Sequence, residues 1–174
     1  MSNISDSPTE FEGTRSTQDV GSRAKVYAAR MRLQNAIDQA DALDAIREIA
    51  GNLIGTEEIA VFKVDQKRSE LWLYWSFGID PNKHSVLEIR REPNLKQVLR
   101  GKPVYRLKLS NENLLSTDDP VSALVPILVD GSTCAVIVLF RLFPHKPGIQ
   151  PVDREICDVL SNCAGRAIEP YHSR

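Results

Sequence analysis

Two apolar runs joined by Asp130-Gly131 dominate the hydrophobic pattern of the chain. One run covers residues 124–129 and the other covers residues 134–140. Asp-Gly suits a type I′ turn, which needs positive φ at both central residues, so the pattern predicts a β-hairpin. Strands that are apolar on both faces need cover on both faces. The hairpin is therefore predicted to lie inside its sheet, with a layer above it and another below.

Helical spacing precedes and follows the strands. A helix is predicted over 23–40, a second from an N-cap at Asp41 to Gly55, and a last one from Val152 until Pro170 stops it. Apolar residues at intervals of seven, four and three give the first helix a single apolar stripe. That stripe consists of Val26, Leu33, Ile37 and Ala40.

The remaining apolar segments are short and read as strands. Strands are predicted at 59–64, 70–77, 86–89 and 103–107, with a short helix over 94–101. Helices at both ends and antiparallel strands between them indicate an α+β domain. Strict alternation would place Leu71, Leu73, Trp75 and Phe77 on one face of the second strand, and Trp72, Tyr74 and Ser76 on the other. The sequence does not say which face meets which layer.

Composition divides the chain into a tail, a helix and one domain. The 174 residues, 42% of them hydrophobic, suit a single core. Residues 1–22 are rich in Ser, Thr, Asp and Gly, which predicts a disordered tail, and 170–174 form a short C-terminal tail. No apolar stretch approaches the roughly 20 residues of a membrane span, and no signal peptide is evident. We therefore expect a cytoplasmic protein.

No pattern in the chain is typical of catalysis or metal binding. The three cysteines, Cys134, Cys157 and Cys163, form no CxxC pair and are expected to be buried apolar residues. The three histidines lie far apart and are expected at the surface. Asp118-Asp119 is expected to form a turn before a proline. We therefore predict no enzyme and no metal site.

Charge is concentrated between Lys83 and Lys108. This segment holds eight basic and two acidic residues, a net charge of +6, while the whole chain carries −1 and the remainder −7. Such a run is solvated surface, or it receives an anionic ligand or an acidic partner. Nucleic acid is disfavoured, since the total charge is negative and few aromatic residues interleave with the basic ones.

Four sequence segments resemble those of a GAF domain in their order, and the resemblance covers about residues 41–169. They are DALDAIREIAGNLIG, VLRGKPVY, SALVPILVDGSTCAVIVLF and VDREICDVLSNCAGRAI. The resemblance implies a six-stranded antiparallel sheet with the terminal helices on one face. A short helix and loops on the other face often enclose a small-molecule pocket. Family members are mostly sensory or dimerising modules of bacterial signalling.

The chain also departs from the ligand-binding branches of that family. The stretch LEIRREPNLKQ lacks the glycine-rich phrase of many members, and no NKFDE-type motif of the cyclic-nucleotide branch is present. No cysteine lies where a bilin would attach, or in the loop where the related free-methionine-sulfoxide reductases use cysteines. Members bind cyclic nucleotides, tetrapyrroles, haem, amino acids or nothing, so the cofactor stays unknown.

The hypothesis that follows is a non-catalytic regulatory module that binds a small molecule or a signalling partner. Because Pro170 stops the last helix and no effector domain follows, we expect it to report through a separate protein. The alternatives are a purely structural dimerisation protein with a collapsed pocket and, less favoured, a redox enzyme. A homodimer is expected through Val26, Leu33, Ile37 and Ala40. Arg90, Arg91, Lys96 and Arg100 are expected to attract an anion. Ligand contacts are expected from Phe62, Trp75, Arg90, Arg91, Leu95, Lys96, Val98 and Tyr105.

Overall fold

The computed structural model describes residues 12–106 and 113–169. Its α-helices are α1 (Glu12–Gln34), α2 (Gln39–Ile49), α3 (Pro93–Leu99) and α4 (Pro151–Cys163), and α2 continues into a π-helical turn at Ala50–Ile54. The strands are β1 (Ile59–Asp65), β2 (Glu70–Phe77), β3 (Val86–Glu88), β4 (Val104–Tyr105), β5 (Ala123–Val129) and β6 (Ser132–Leu139). Short 3₁₀ turns lie at Pro81–Lys83, Ile89–Arg91 and Ala164–Ala167.

The six strands form one antiparallel sheet in the order β3-β2-β1-β6-β5-β4. The hairpin turn between β5 and β6 has φ of 50° at Asp130 and 78° at Gly131, as a type I′ turn requires. β6 lies between β1 and β5, so the hairpin is internal. The predicted α+β, GAF-like architecture is confirmed.

Helices cover one face of the sheet. Their shared core with the sheet includes Ile46 and Ile49 of α2, Ile156 and Leu160 of α4, and Val125 of β5. Asp38, rather than Asp41, is the N-cap of α2: its carboxylate accepts the N–H of Asp41. Within the described ranges, no helix is long and apolar enough to span a membrane.

Helix α1 differs from its prediction at both ends. It begins at Glu12, inside the predicted tail, and an Asp19–Arg23 ion pair of 2.9 Å at i, i+4 spacing supports its first half. It ends at Gln34 instead of residue 40. The predicted tail segments 1–11 and 170–174 lie outside the described residues.

The early end of α1 breaks the predicted apolar stripe into unrelated parts. Leu33 is 2% exposed in the domain's own core, and Val26 is half-buried against that core. Ile37 lies beyond the helix and is 79% exposed, and Ala40 is exposed at the start of α2. The prediction that these four residues form one dimer seam is wrong, because Val26 and Leu33 pack on the domain's own core and Ile37 and Ala40 lie beyond the end of α1.

A second layer, here called the lid, covers the other face of the sheet. It consists of α3 together with residues 79–85, 89–92 and 113–121. Leu95 and Val98 of α3 pack on Phe62 of β1 and Phe140, which follows β6. A short helix and loops on this face are what the GAF resemblance implies.

A β-bulge in β2 decides which side chains meet each layer. Val61 pairs with Trp75 but Phe62 pairs with Leu73, so Tyr74 is an extra residue on β2. Before the bulge, Leu73 faces the lid; after it, Trp75 packs against the helix-side core. The single face predicted for Leu71, Leu73, Trp75 and Phe77 is therefore wrong.

Candidate functional site

The interior of the lid face is filled by apolar packing. Phe62, Leu95 and Val98 are each fully buried and belong to the lid-side core. None of the three lines the two cavities described below. Since close-packed side chains leave no room for a ligand, these predicted ligand contacts are core contacts in this structure.

Two other predicted ligand residues lie on the opposite face. The bulge turns Trp75 toward the helices, and Tyr105 of β4 also packs against the helix-side core. The Arg154 guanidinium lies 5.8 Å from the Tyr105 ring centroid, and burial raises the pKa of the Tyr105 phenol. Neither side chain belongs to the lid face, so their prediction as pocket residues is wrong.

The predicted basic residues of the lid do not converge on one point. Arg90 and Arg91 lie exposed in a 3₁₀ turn, because the strand ends at Glu88. The Nε atom of Arg91 is 2.8 Å from a Glu88 carboxylate oxygen. Lys96 is exposed on α3, and Arg100 is the C-cap of that helix. Of these, only Arg100 lines a cavity described here.

The cavity beside Arg100 is a cleft of about 380 Å³ at one end of the sheet. It lies where the β1–β2 and β5–β6 turns meet, since antiparallel β1 and β6 bring both turns to the same end. Arg100 is its one charged lining residue among those described. The full lining is Val64, Gln66, Ser69, Ile89, Leu99, Arg100, Gly131, Ser132 and Thr133.

Three hydroxyl-bearing residues that line this cleft were not predicted from the sequence, and the Thr133 hydroxyl donates to the Val98 carbonyl at 3.4 Å. Ser69 adopts φ of 55°, and Ser132 and Thr133 follow the Asp130-Gly131 turn. Asp65 shapes the other turn by accepting the N–H groups of Lys67 and Arg68. The sequence predicted each of the two turns separately, but nothing in it indicated that both turns line one cavity.

A second depression, of about 480 Å³, lies on the lid beside β3. His84 is 3% exposed there, contrary to its predicted surface position. Its Nε2 lies 2.7 Å from a carboxylate oxygen of Asp119, and its ring centroid is 5.1 Å from that of Phe140. Asp119 therefore does more than shape a turn: it pairs with a buried imidazole. The lining is Lys83, His84, Val86, Leu87, Ser116, Thr117, Asp118 and Asp119.

Side-chain hydrogen bonds hold the loop that carries Asp119. The Asn113 amide donates to the carbonyls of Thr117 and Asp119 at 2.7 and 2.9 Å and accepts the Val121 N–H at 2.8 Å. The buried Glu92 carboxylate accepts the Ser116 N–H at 2.8 Å. The loop is thus anchored at several points along its length.

The three cysteines lie on the helix side of the sheet. All three thiols are free, and Cys134, Cys157 and Cys163 belong to the helix-side core or its edge. Burial raises the pKa of the Cys157 and Cys134 thiols, which disfavours the nucleophilic thiolate. Over residues 12–106 and 113–169, no group of three His, Cys, Asp or Glu side chains could hold a metal ion.

Comparison with known proteins shows the fold. No family model matches the sequence. No curated protein matches it either. Among solved structures, the GAF domain of a phosphoenolpyruvate-protein phosphotransferase from Coxiella burnetii matches with a TM-score of 0.65 at 13% identity, covering 83% of this chain and 91% of that one.

Two further solved structures have a similar fold. The GAF domain/HD domain protein of Geobacter sulfurreducens matches with a TM-score of 0.58 at 20% identity, covering 78% of this chain and 95% of that one. Free methionine-R-sulfoxide reductase from Neisseria meningitidis matches with a TM-score of 0.61 at 15% identity, covering 96% of this chain and 98% of that one. The chain has a GAF-like fold.

Proposed function

We propose that the chain is a non-catalytic regulatory module that binds a small anionic ligand at the Arg100 cleft and reports by contact with a separate protein. The observation that carries this proposal is the position of Arg100, the one charged residue in the described cleft lining, beside the hydroxyls of Ser69, Ser132 and Thr133. Guanidinium and hydroxyl groups together suit a carboxylate or phosphate. Burial raises the pKa of the Cys134 and Cys157 thiols, which disfavours these two cysteines as catalytic nucleophiles.

The filled lid interior favours this position for a ligand over the centre of the lid. The side chains of Phe62 on β1 and Val98 on α3 fill the space between α3 and the sheet, so a ligand there would have to displace core side chains. The Arg100 cleft lies at the edge of that packing, and Val64 and Leu99 supply an apolar wall. A small anion can enter this cleft without reorganising the core.

The test measures binding of inorganic phosphate and of malonate at constant ionic strength, with amide chemical shifts as the readout. We expect saturable shifts at Ser69, Gly131 and Ser132 that are lost in Arg100→Gln. The matched control is Arg91→Gln, which removes an exposed charge outside the cleft and should bind as the wild type does. Unchanged binding by Arg100→Gln, or shifts confined to other surfaces, would contradict the proposal.

A second candidate function, homodimerisation without a ligand, is favoured by a different observation on α1. Val20, Ala24, Tyr27 and Met31 recur at spacings of four, three and four, as in a coiled-coil seam. They lie roughly 160° around the helix from the stripe that packs into the core. Val20 and Tyr27 are each 65% exposed. This stripe replaces the one predicted from the sequence.

Molar mass in solution tests the dimer. At tens of micromolar the wild type should behave as a dimer, and Tyr27→Glu should be monomeric because it places unpaired carboxylates in the seam. Gln18→Glu, an added charge on the same helix outside the stripe, is the control. A wild type that is already monomeric would contradict the dimer while leaving phosphate binding at Arg100 unaffected.

A further inference from the structure

Four aromatic side chains of β2 lie on the same side of the sheet. They are Trp72, Tyr74, Trp75 and Phe77, here called the aromatic row. Phe77 pairs with Ile59 and Trp75 with Val61, both of which point to the helix side. Trp72 pairs with Lys63 on that same side, and the bulge adds Tyr74 between them. Without the bulge, plain alternation would divide these rings between the two faces.

The helices leave this part of the sheet uncovered. α4 packs on β5, and α1 packs on α4 and α2, whereas no helix of the described chain packs extensively on β2. Trp72, Tyr74 and Phe77 are 41%, 36% and 39% exposed. β3 pairs with residues 70–72 of β2, and the Leu73 N–H donates to the Ser85 carbonyl at 2.9 Å, so the strand edge beyond Leu73 has no partner strand in the described sheet. Clustered exposed rings of this kind mark interaction surfaces.

Each exposed ring of the row has a cation against it. The Lys63 ammonium lies 4.0 Å from the Tyr74 ring centroid, and the Arg47 guanidinium 5.0 Å from that of Phe77. Arg68 lies 5.7 Å from the Trp72 centroid. These contacts hold the charged groups along the row.

The carboxylate partners of these cations within the chain are distant for Arg47 and Arg68 and absent among the described residues for Lys63. The nearest carboxylates to Arg47 and Arg68 are those of Asp44 and Asp65, at 3.7 and 3.8 Å, beyond hydrogen-bond distance. Lys63 has no carboxylate within 4.0 Å in the described parts of the chain. The row therefore offers hydrogen-bond donors of positive charge beside apolar rings.

We propose that the aromatic row is the docking surface for an extended segment of a partner protein with alternating apolar and acidic side chains. Its apolar side chains pack between the rings, and its carboxylates pair with Lys63, Arg47 and Arg68. A second copy docked face to face would bring like charges together. A nucleic acid is disfavoured because the cations occupy ring faces that bases would need for stacking.

The test uses fluorescence anisotropy with a labelled peptide of alternating Glu and Val, and the matched peptide with Lys in place of Glu. We expect saturable binding of the Glu peptide at least tenfold tighter than that of the Lys peptide, weakening as salt rises. Lys63→Glu and the double variant Trp72→Ala, Tyr74→Ala should each lower the affinity at least tenfold. Ile37→Ala, which removes an exposed apolar side chain between α1 and α2, is the control and should bind as the wild type does.

Circular dichroism and thermal melting establish that each variant is folded, and Lys63→Gln serves as a second variant if Lys63→Glu is not. The proposal is overturned if the Glu and Lys peptides bind equally, if neither binds, or if Lys63→Glu and Lys63→Gln bind as tightly as the wild type. Tighter binding of oligouridylate overturns it in favour of nucleic acid. A molar mass that falls in Trp72→Ala overturns it in favour of a second copy. Arg100→Gln should leave the peptide affinity unchanged, so this test is separate from that of the Arg100 cleft.

Discussion

The two layers that cover the sheet close it in different ways. The lid packs Leu95 and Val98 directly on Phe62 and then fixes its loop with neutral hydrogen bonds such as those of Asn113. The helix layer buries a larger core but stops short of β2, where Trp72 and Tyr74 remain exposed. The face expected to hold a pocket is therefore the closed one, and the face expected to be covered has an open surface.

This difference shows that a GAF-like fold does not by itself supply a ligand cavity. Side-chain volume in the lid decides whether a cavity exists, and here large apolar residues occupy the space. Helix placement decides whether the sheet keeps a free surface. Both are matters of packing, so each can be tested by substitutions that leave the topology intact.

The largest expected effect comes from comparing an aromatic residue under the lid with one on the open face. Phe62→Ala should lower the free energy of unfolding by about 3–5 kcal/mol, because it leaves a cavity in the lid-side core. Trp72→Ala should cost about 1 kcal/mol or less, since its ring is partly exposed. Urea unfolding measures both. Equal losses would show that the open face is as well packed as the closed one.

The helix layer contains a buried ion pair between a lysine and an aspartate. Lys146 Nζ lies 2.7 Å from the Asp153 carboxylate, which is fully buried, and also donates to the Ile54 carbonyl. Lys146→Met should cost about 3 kcal/mol in unfolding free energy, because the buried carboxylate loses its counter-charge.

Arg68→Met is the matched control for that substitution. It breaks the exposed pair with Asp65 and should cost less than about 0.5 kcal/mol. Urea unfolding of both variants at neutral pH makes the comparison. If Lys146→Met were as mild as Arg68→Met, the buried pair would not be what holds the loop before α4 in place.

The lid loop should respond to loss of its neutral hydrogen bonds. Asn113→Ala removes three of them and leaves the Val121 N–H without its acceptor, at a cost of about 1–3 kcal/mol. Hydrogen exchange at the Val121 amide should speed up. Asn162→Ala, which removes one exposed bond to Asp158 within α4, is the control and should change stability little. Unchanged exchange at Val121 would mean that His84 and Glu92 hold the loop without Asn113.

The smallest expected effect concerns the attachment of α1 to the helix layer. The Arg32 side chain hydrogen-bonds Glu48 at 2.7 Å and Asp41 at 2.8 Å and holds the pKa of both carboxyls below the usual range. A depressed folded-state pKa stabilises the fold above the unfolded pKa values, near 4, and that stabilisation is lost as pH falls.

The Arg32→Met variant should therefore have a lower melting temperature than the wild type at pH 7, and this gap in melting temperature should narrow toward pH 3. Arg23→Met, which breaks only the exposed pair with Asp19, should show no such pH dependence. Thermal melting across this pH range measures the gap. A constant gap would indicate that Arg32 acts through packing rather than through its charge.

The parts of the fold that were predicted correctly depend on residues that are close together in the chain. Asp130-Gly131 between two apolar runs favours a type I′ turn, and those runs need cover on both faces. The short helix of the lid followed from Leu95 and Val98 at helical spacing. These elements were predictable because each depends on a few neighbouring residues.

The candidate surfaces depend on two structural features that no short stretch of the sequence predicts. The bulge at Tyr74 is a shift in register between two strands, and an alternating sequence gives no sign of such a shift. Leu33 lies on the face of α1 that packs into the core, and the end of α1 at Gln34 leaves Ile37 outside the helix. The bulge explains why Trp75 lies on the helix side, and the end of α1 explains why Ile37 and Ala40 left the predicted stripe.

The sequence by itself determined the order of elements, the central hairpin and the concentration of positive charge on the lid segment. The tertiary structure alone decided that Phe62 fills the lid, that Arg100 meets hydroxyls from two distant turns, and that four rings of β2 share one face. Turn type and periodicity are set by residues close in the chain. Cavities and surfaces arise where segments far apart in the chain meet, and their packing is settled only when all of those segments are in place.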